Sequence, residues 1–231
     1  MQTEKEQSIC LKHIPHILEM MKPITAMTIG GSDSSAGAGI QADLKAFTAL
    51  NIHGATILTS ITVQNTQTVK KIIPTHPEDI LQQIEIVMND LPIKYVKTGL
   101  LYEPKIAKIV SDATKKYRWN LVVDPVLIAT SGDTLSSANL TEEIKKTLIP
   151  ISKIITPNIP EAEALTETSI STVQDMKKAA KILKTQGANY VVLKGGHLQD
   201  KQAYDILYDG KKFTELSLPR IPQKKAHGSG C

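Results

Sequence analysis

The sequence predicts an α/β fold: a three-layer sandwich with a mostly parallel central sheet, helices on both faces and a β-hairpin near the C-terminal end. Three observations predict it. Apolar, β-rich runs alternate with amphipathic helical stretches along the chain. Polar and glycine-containing residues gather where those runs end. A length of 231 residues at 41% hydrophobic composition supports one sizeable core and does not require two domains.

The elements follow in order. ITAMTIG reads as a strand, residues from about Gly37 to Ala49 as a helix, and GATILTSITV as a second strand. A helix through Ile80 to Met88, the strand IKYVKTG, a helix from Pro104 to Ala113 and the strand NLVVDPV come next. The second half continues with a helix near Thr141 to Leu148, the strand KIITPN, helices near Pro160 to Leu165 and Val173 to Gln186, and the strand ANYVVLKGG. Alternation of this kind makes parallel strands with crossover helices, so the sheet should be buried on both faces. AYDILYDGKKFTELSL sets Asp209-Gly210 between two alternating runs, the signal of a hairpin and the one antiparallel feature expected.

Composition narrows the function. The net charge of +4 comes from 27 basic and 23 acidic side chains spread along the chain, and aromatics make up 4%. A nucleic-acid surface needs clustered cations and stacking rings, so that partner is not expected. No apolar run approaches the ~18 to 20 residues of a membrane span, and MQTEKEQSIC does not open like a signal peptide. Cys10 and Cys231 lie too far apart in sequence to suggest a disulfide framework or a zinc site, which favours a reducing cytoplasm. Residues 1–22 carry Ile14, Ile17, Leu18 and Met21 at helical spacing and read as an N-terminal extension; the domain proper is expected over 23–231.

In open α/β sheets ligands bind at the carboxyl ends of the strands. Gly30-Gly31-Ser32-Asp33, Gln64-Asn65, Thr98-Gly99, Asp124-Pro125, Pro157-Asn158 and Lys194-Gly195-Gly196 all fall there. GGSDSSAGAGIQADLKAF contains a G-x-G-x-x-A match from Gly37 to Ala42, but no acid follows about 20 positions on, which excludes a nicotinamide site. The same turn could merely let the helix pack close to the sheet. Gly228-Ser229-Gly230 can converge backbone N–H groups on an anion, or can be one of many short glycine turns. Cys231 beside it reads either as an activated thiol or as a small buried hydrophobe.

Asn158 and Glu161 are three residues apart at a strand-to-helix junction. An amide and a carboxylate there suit hydrated magnesium, and suit helix capping equally well. Lys194 ends a buried strand, where it needs an anion, phosphate or carboxylate. Asp43 and Asp124 are single acids, and Asp43 could be an ordinary exposed helical residue.

Taken together, GGSDSSAGAGIQADLKAF, VQNT, VKTGLL, VVDPVLIATSGD, IITPNIPEAEAL, VVLKGGH and HGSGC resemble the hydroxymethylpyrimidine and phosphomethylpyrimidine kinases of thiamine biosynthesis, within the ribokinase superfamily. The match runs in order from about Ile24 to Cys231. Several of these motifs are shared with pyridoxal kinases; Gln64-Asn65-Thr66 and the cysteine point to the pyrimidine branch.

The resemblance implies ATP-dependent phosphorylation of 4-amino-5-hydroxymethyl-2-methylpyrimidine, and then of its monophosphate, with Mg2+. Gln64 would pair with the aminopyrimidine, because an amide offers a donor and an acceptor side by side. Gly31, Ala38 and Asp43 look like substrate-pocket residues, with Leu100 and Val126 as apolar walls. Lys194 and Asp124 fall on the nucleotide side. Asn158 and Glu161 resemble the pair that organises magnesium through water or phosphate. Cys231 corresponds to the catalytic base, and the Gly228, Ser229 and Gly230 amides to the anion hole. A homodimer is a further expectation of the resemblance.

Two departures qualify it. Ala36-Gly37 replaces a glycine pair, and the resemblance implies a helix after Cys231 whose N-terminus would reinforce the anion hole. The expectation is therefore a piece of a longer or fused protein, or an impaired version. The competing readings are a pyridoxal kinase and a pyrimidine-binding module that lacks turnover.

Overall fold

The computed structural model describes residues 24–127 and 137–220. Its strands are β1 (Thr25–Asp33), β2 (His53–Gln64), β3 (Val69–Pro74), β4 (Tyr95–Thr98), β5 (Asn120–Val123), β6 (Ile154–Ile155), β7 (Tyr190–Lys194), β8 (Gln202–Tyr208) and β9 (Phe213–Pro219). They form one sheet in the order β3-β2-β1-β4-β5-β6-β7-β8-β9. The central run from β2 to β7 is parallel throughout.

The helices are α1 (Gly39–Ala49), α2 (Pro77–Asp90), α3 (Pro104–Tyr117), α4 (Leu140–Glu143), α5 (Ile159–Thr166) and α6 (Val173–Thr185). Their boundaries follow local chemistry. Pro77 and Pro104 open α2 and α3 at first-turn positions where a missing N–H costs nothing. Thr172 caps α6 by accepting from the Asp175 N–H. The helix expected to Leu148 is an α-helix only over Leu140–Glu143 and continues as a π-turn over Ile144–Leu148 and a 3-10 turn over Ile149–Ile151, where Pro150 removes a donor.

Alternating burial along the strands places the core. Val96, Thr98, Leu121, Val123, Ile155, Val191 and Leu193 are buried on one side of the sheet, against Ile80, Ile84, Ile106, Val110, Ala162, Met176 and Ala180 of the helices. On the other side α1 covers β1 and β2. Lys97, Val122, Ile154 and Val192, at the alternate positions of β4 to β7, stay half-buried.

The expected hairpin is present, with β8 and β9 paired antiparallel around Asp209–Lys212. It is not the one antiparallel feature, which corrects the expectation. β7 pairs antiparallel with β8, and β2 turns straight into β3. The β2–β3 turn is built by Asn65, whose Oδ1 accepts the N–H groups of Gln67 and Thr68, so it needs no glycine.

The strand order sets the site. β1 is followed by β2 on one side, and the chain then returns to place β4 on the other, so the crossover direction reverses between β1 and β4. That reversal opens the ligand crevice of an open α/β sheet at the carboxyl ends of these two strands.

Candidate active site

The β1–α1 connection forms one wall. β1 runs through Gly31, Ser32 and Asp33 after a register shift against β2 between Gly30 and Gly31. Asp33 is 3% exposed and folds the loop around itself, its carboxylate accepting the N–H groups of Ser35, Gly37 and Ala38 at 2.8, 3.0 and 2.8 Å. Those amides already hold an anion, the Asp33 carboxylate. Gly39 fits the tight turn: its φ is +61°, and a Cβ there would sit 2.5 Å from the Gly31 carbonyl oxygen. Ala38, half-buried, is the N-cap of α1. Gly31 is buried, and a Cβ on it would lie 2.8 Å from Ser60 Oγ and 3.2 Å from Leu100 Cδ2, so Gly31 and Leu100 are in contact as a pair.

Asp43, one turn into α1, is not an ordinary exposed residue. Its side chain is 17% exposed, and its Oδ2 accepts from Thr28 Oγ1 at 2.6 Å and from Lys97 Nζ at 2.9 Å. Lys97 comes from β4, where it pairs in register with Thr28 of β1. The same ammonium is 3.9 Å from Asp124 Oδ2. Asp124 follows β5, and its Oδ1 accepts from Lys194 Nζ at 3.1 Å and from Thr156 Oγ1 at 3.0 Å. The side chains of Asp43, Lys97, Asp124 and Lys194 thus form one line of alternating charge across α1, β4, β5 and β7. Of the two partners open to Lys194, the structure supplies the carboxylate.

Asn158 and Glu161 cap α5 reciprocally: the Glu161 N–H donates to Asn158 Oδ1 at 2.9 Å and the Asn158 N–H to Glu161 Oε2 at 2.8 Å. The capping reading is therefore realised. Glu161 is nevertheless unusual, because at 4% exposure burial pushes its carboxyl up to about 7, against the opposing pull of the Asn158 N–H and the Lys194 charge. Asn158 bridges to Lys194 across the ends of β6 and β7, which brings the cap to the charged line.

With Asn158 Oδ1 and Glu161 Oε2 each accepting a cap hydrogen bond, these residues fit contact with a magnesium ion through water or phosphate. Among the described residues no group of three or more His, Cys, Asp or Glu side chains is arranged to hold a metal.

Gln64 ends β2, opposite Val69 of β3, and is half-buried; its side-chain amide has no hydrogen-bond partner among the described residues. Val126 is half-buried just after Asp124, its N–H donating to the Asp124 carbonyl at 2.9 Å. Gly228, Ser229, Gly230 and Cys231 lie outside the described residues, as do residues 1–22. Lys97 and Thr28 are the residues that sequence reasoning missed. Lys97 carried the same signal as Lys194, a lysine in a strand otherwise apolar, inside the VKTG motif.

Cations and carboxylates are thus gathered beside the switch point of an α/β sheet, an arrangement suited to an enzyme that transfers phosphoryl groups. The sequence profile of the family described as phosphomethylpyrimidine kinase matches residues 33–231. The chain belongs to that family and has its ribokinase-like fold.

It is 44% identical over 208 residues to the hydroxymethylpyrimidine/phosphomethylpyrimidine kinase of Bacillus subtilis, covering 89% of this chain and 77% of the relative. It is 43% identical over 208 residues to the thiamine biosynthesis bifunctional protein ThiED of Geobacter sulfurreducens, covering 90% of this chain but only 42% of that longer protein. A structure of the Staphylococcus aureus pyridoxal kinase in complex with AMP-PCP and pyridoxal superposes with a TM-score of 0.82 at 34% identity, covering 90% of this chain and 76% of the other.
No helix among the described residues is long and apolar enough to cross a membrane.

Proposed function

We propose that the chain transfers the γ-phosphate of ATP to 4-amino-5-hydroxymethyl-2-methylpyrimidine and then to the resulting monophosphate, as a kinase of thiamine biosynthesis. The observation that carries this reading is the charged line itself: Lys194 and the Glu161 cap at one end offer a cation and polar groups to a polyphosphate, and Asp43 at the other offers an acceptor to a donor group of the substrate, while Gln64 at the end of β2 offers an amide to an aminopyrimidine. An identity of 44% to a protein named for the pyrimidine, against 34% to the pyridoxal kinase, favours that acceptor.

In this reading the substrate hydroxyl oxygen attacks the γ-phosphorus, the bond to the β–γ bridging oxygen breaks, and ADP leaves. The hydroxyl proton passes to the Cys231 thiolate, while the Gly228, Ser229 and Gly230 amides take the developing charge. In the second transfer a phosphate oxygen of the monophosphate takes the place of the hydroxyl. Lys194 and Asp124 position the nucleotide phosphates, and Leu100, Val126, Gly31 and Ala38 enclose the ring. Magnesium, held by Glu161 and Asn158 through water or phosphate, would neutralise charge between phosphate oxygens.

A thiol base works in a reducing compartment, which fits the cytoplasm. A homodimer is part of the proposal, supported by Ile61, Val63 and Ile73, which are 46%, 41% and 41% exposed on β2 and β3 with Ile61 directly opposite Ile73. The test compares ATP consumption with the hydroxymethylpyrimidine and with pyridoxal as acceptors. Faster turnover of the pyrimidine supports the reading; preference for pyridoxal replaces it, and binding of the pyrimidine without ATP consumption leaves a binding module.

A further inference from the structure

We propose that Lys97 is a positioning residue that couples the acceptor half of the site to the nucleotide half by exchanging carboxylate partners. The inference rests on the kinase reading above and adds to it the unequal sharing of Lys97 between two carboxylates. Lys97 stands on β4, between β1 and β5, at the switch point of the sheet. Its ammonium is shared unequally, 2.9 Å from Asp43 Oδ2 and 3.9 Å from Asp124 Oδ2. It also lies beside Gly99, where a Cβ would come within 3.5 Å of Nζ, so the ammonium occupies the strand end itself.

Each carboxylate has a second support. Asp43 keeps the Thr28 hydroxyl at 2.6 Å, and Asp124 keeps Thr156 at 3.0 Å and Lys194 at 3.1 Å. The consequence is a partner exchange. Phosphate oxygens arriving at Lys194 compete with Asp124 for that cation. Asp124 then draws Lys97 across the longer of its two distances. Asp43, left with the Thr28 hydroxyl, has an oxygen open to a donor group of the acceptor. Run the other way, an acceptor bound to Asp43 releases Lys97 to Asp124 and Lys194 to phosphate. Thermodynamic linkage makes the two directions equal, so nucleotide and acceptor tighten one another by the same factor. A lysine that only filled space or balanced charge would not produce this reciprocity.

The test measures binding of the hydroxymethylpyrimidine by calorimetry to the full chain, with and without saturating AMP-PCP and magnesium. The unaltered chain should bind the pyrimidine about fivefold or more tightly with the nucleotide present. Lys97→Met should bring that ratio close to one, and Lys97→Arg, which keeps the charge, should retain most of it. Asp43→Asn combined with Lys97→Met removes both members of the pair, leaves no uncompensated charge and should also give a ratio near one. Full coupling in Lys97→Met, or a ratio of one in the unaltered chain, overturns the proposal and leaves the kinase reading standing. If the unaltered chain does not bind the pyrimidine at all, the acceptor reading falls and this inference falls with it.

Discussion

Asn158 and Glu161 hold each other through two hydrogen bonds of 2.9 and 2.8 Å, each from a backbone N–H to the other's side-chain oxygen, so the carboxyl proposed for the phosphate side of the site is also the carboxyl that starts α5. In the proposed reading one residue serves both stability and chemistry, and pH separates the two. Glu161 is 4% exposed, and its carboxyl is pushed up to about 7 by burial.

A raised carboxyl means that the folded chain binds a proton more tightly than the unfolded chain. The burial penalty is therefore absent below the ordinary value of about 4.5, grows as pH rises, and is complete above about 7. Glu161→Gln keeps a group able to cap and removes the charge. Its stability should match that of the unaltered chain at about pH 4 and exceed it by on the order of 3 kcal/mol at about pH 8. Urea unfolding at the two pH values measures this, and ATP-dependent turnover should fall in the same variant.

Asn158→Ala removes the acceptor for the Glu161 N–H and leaves a buried donor unsatisfied. Loss of an N-cap of this kind costs about 1 kcal/mol. The shift in the urea midpoint checks it, at unchanged slope.

Gly39→Ala should be more damaging than its size suggests. It places a Cβ 2.5 Å from the Gly31 carbonyl at a φ of +61°. The left-handed conformation and the backbone clash together should cost about 2 kcal/mol or more, read from the denaturant midpoint.

Gln64→Ala should leave stability within about 0.5 kcal/mol, because the side chain is half-buried and bonded to no other described residue. The KM for the hydroxymethylpyrimidine should rise about 10- to 100-fold while that for pyridoxal changes little. Parallel KM measurements test the specificity role.

The parallel core of the fold was legible because Met27, Ile29, Ile57, Val96, Leu121, Val191 and Leu193 sit in short apolar runs separated by helical stretches. β3 was not, since VKKIIP is short and rich in lysine, and its turn depends on the Asn65 side chain instead of a glycine signal. Asn158 and Glu161 were found, and their capping role was one of two readings that three-residue spacing allows. Asp43 and Lys97 could not be paired in advance. They are 54 residues apart, and only the order that places β4 against β1 brings them together.

The most direct test of the central claim is product identification. The 231-residue chain is incubated with magnesium, ATP and 4-amino-5-hydroxymethyl-2-methylpyrimidine, and the pyrimidine products are followed by mass. The account predicts the monophosphate first and the diphosphate after it; ATP left intact with the pyrimidine unmodified would contradict it.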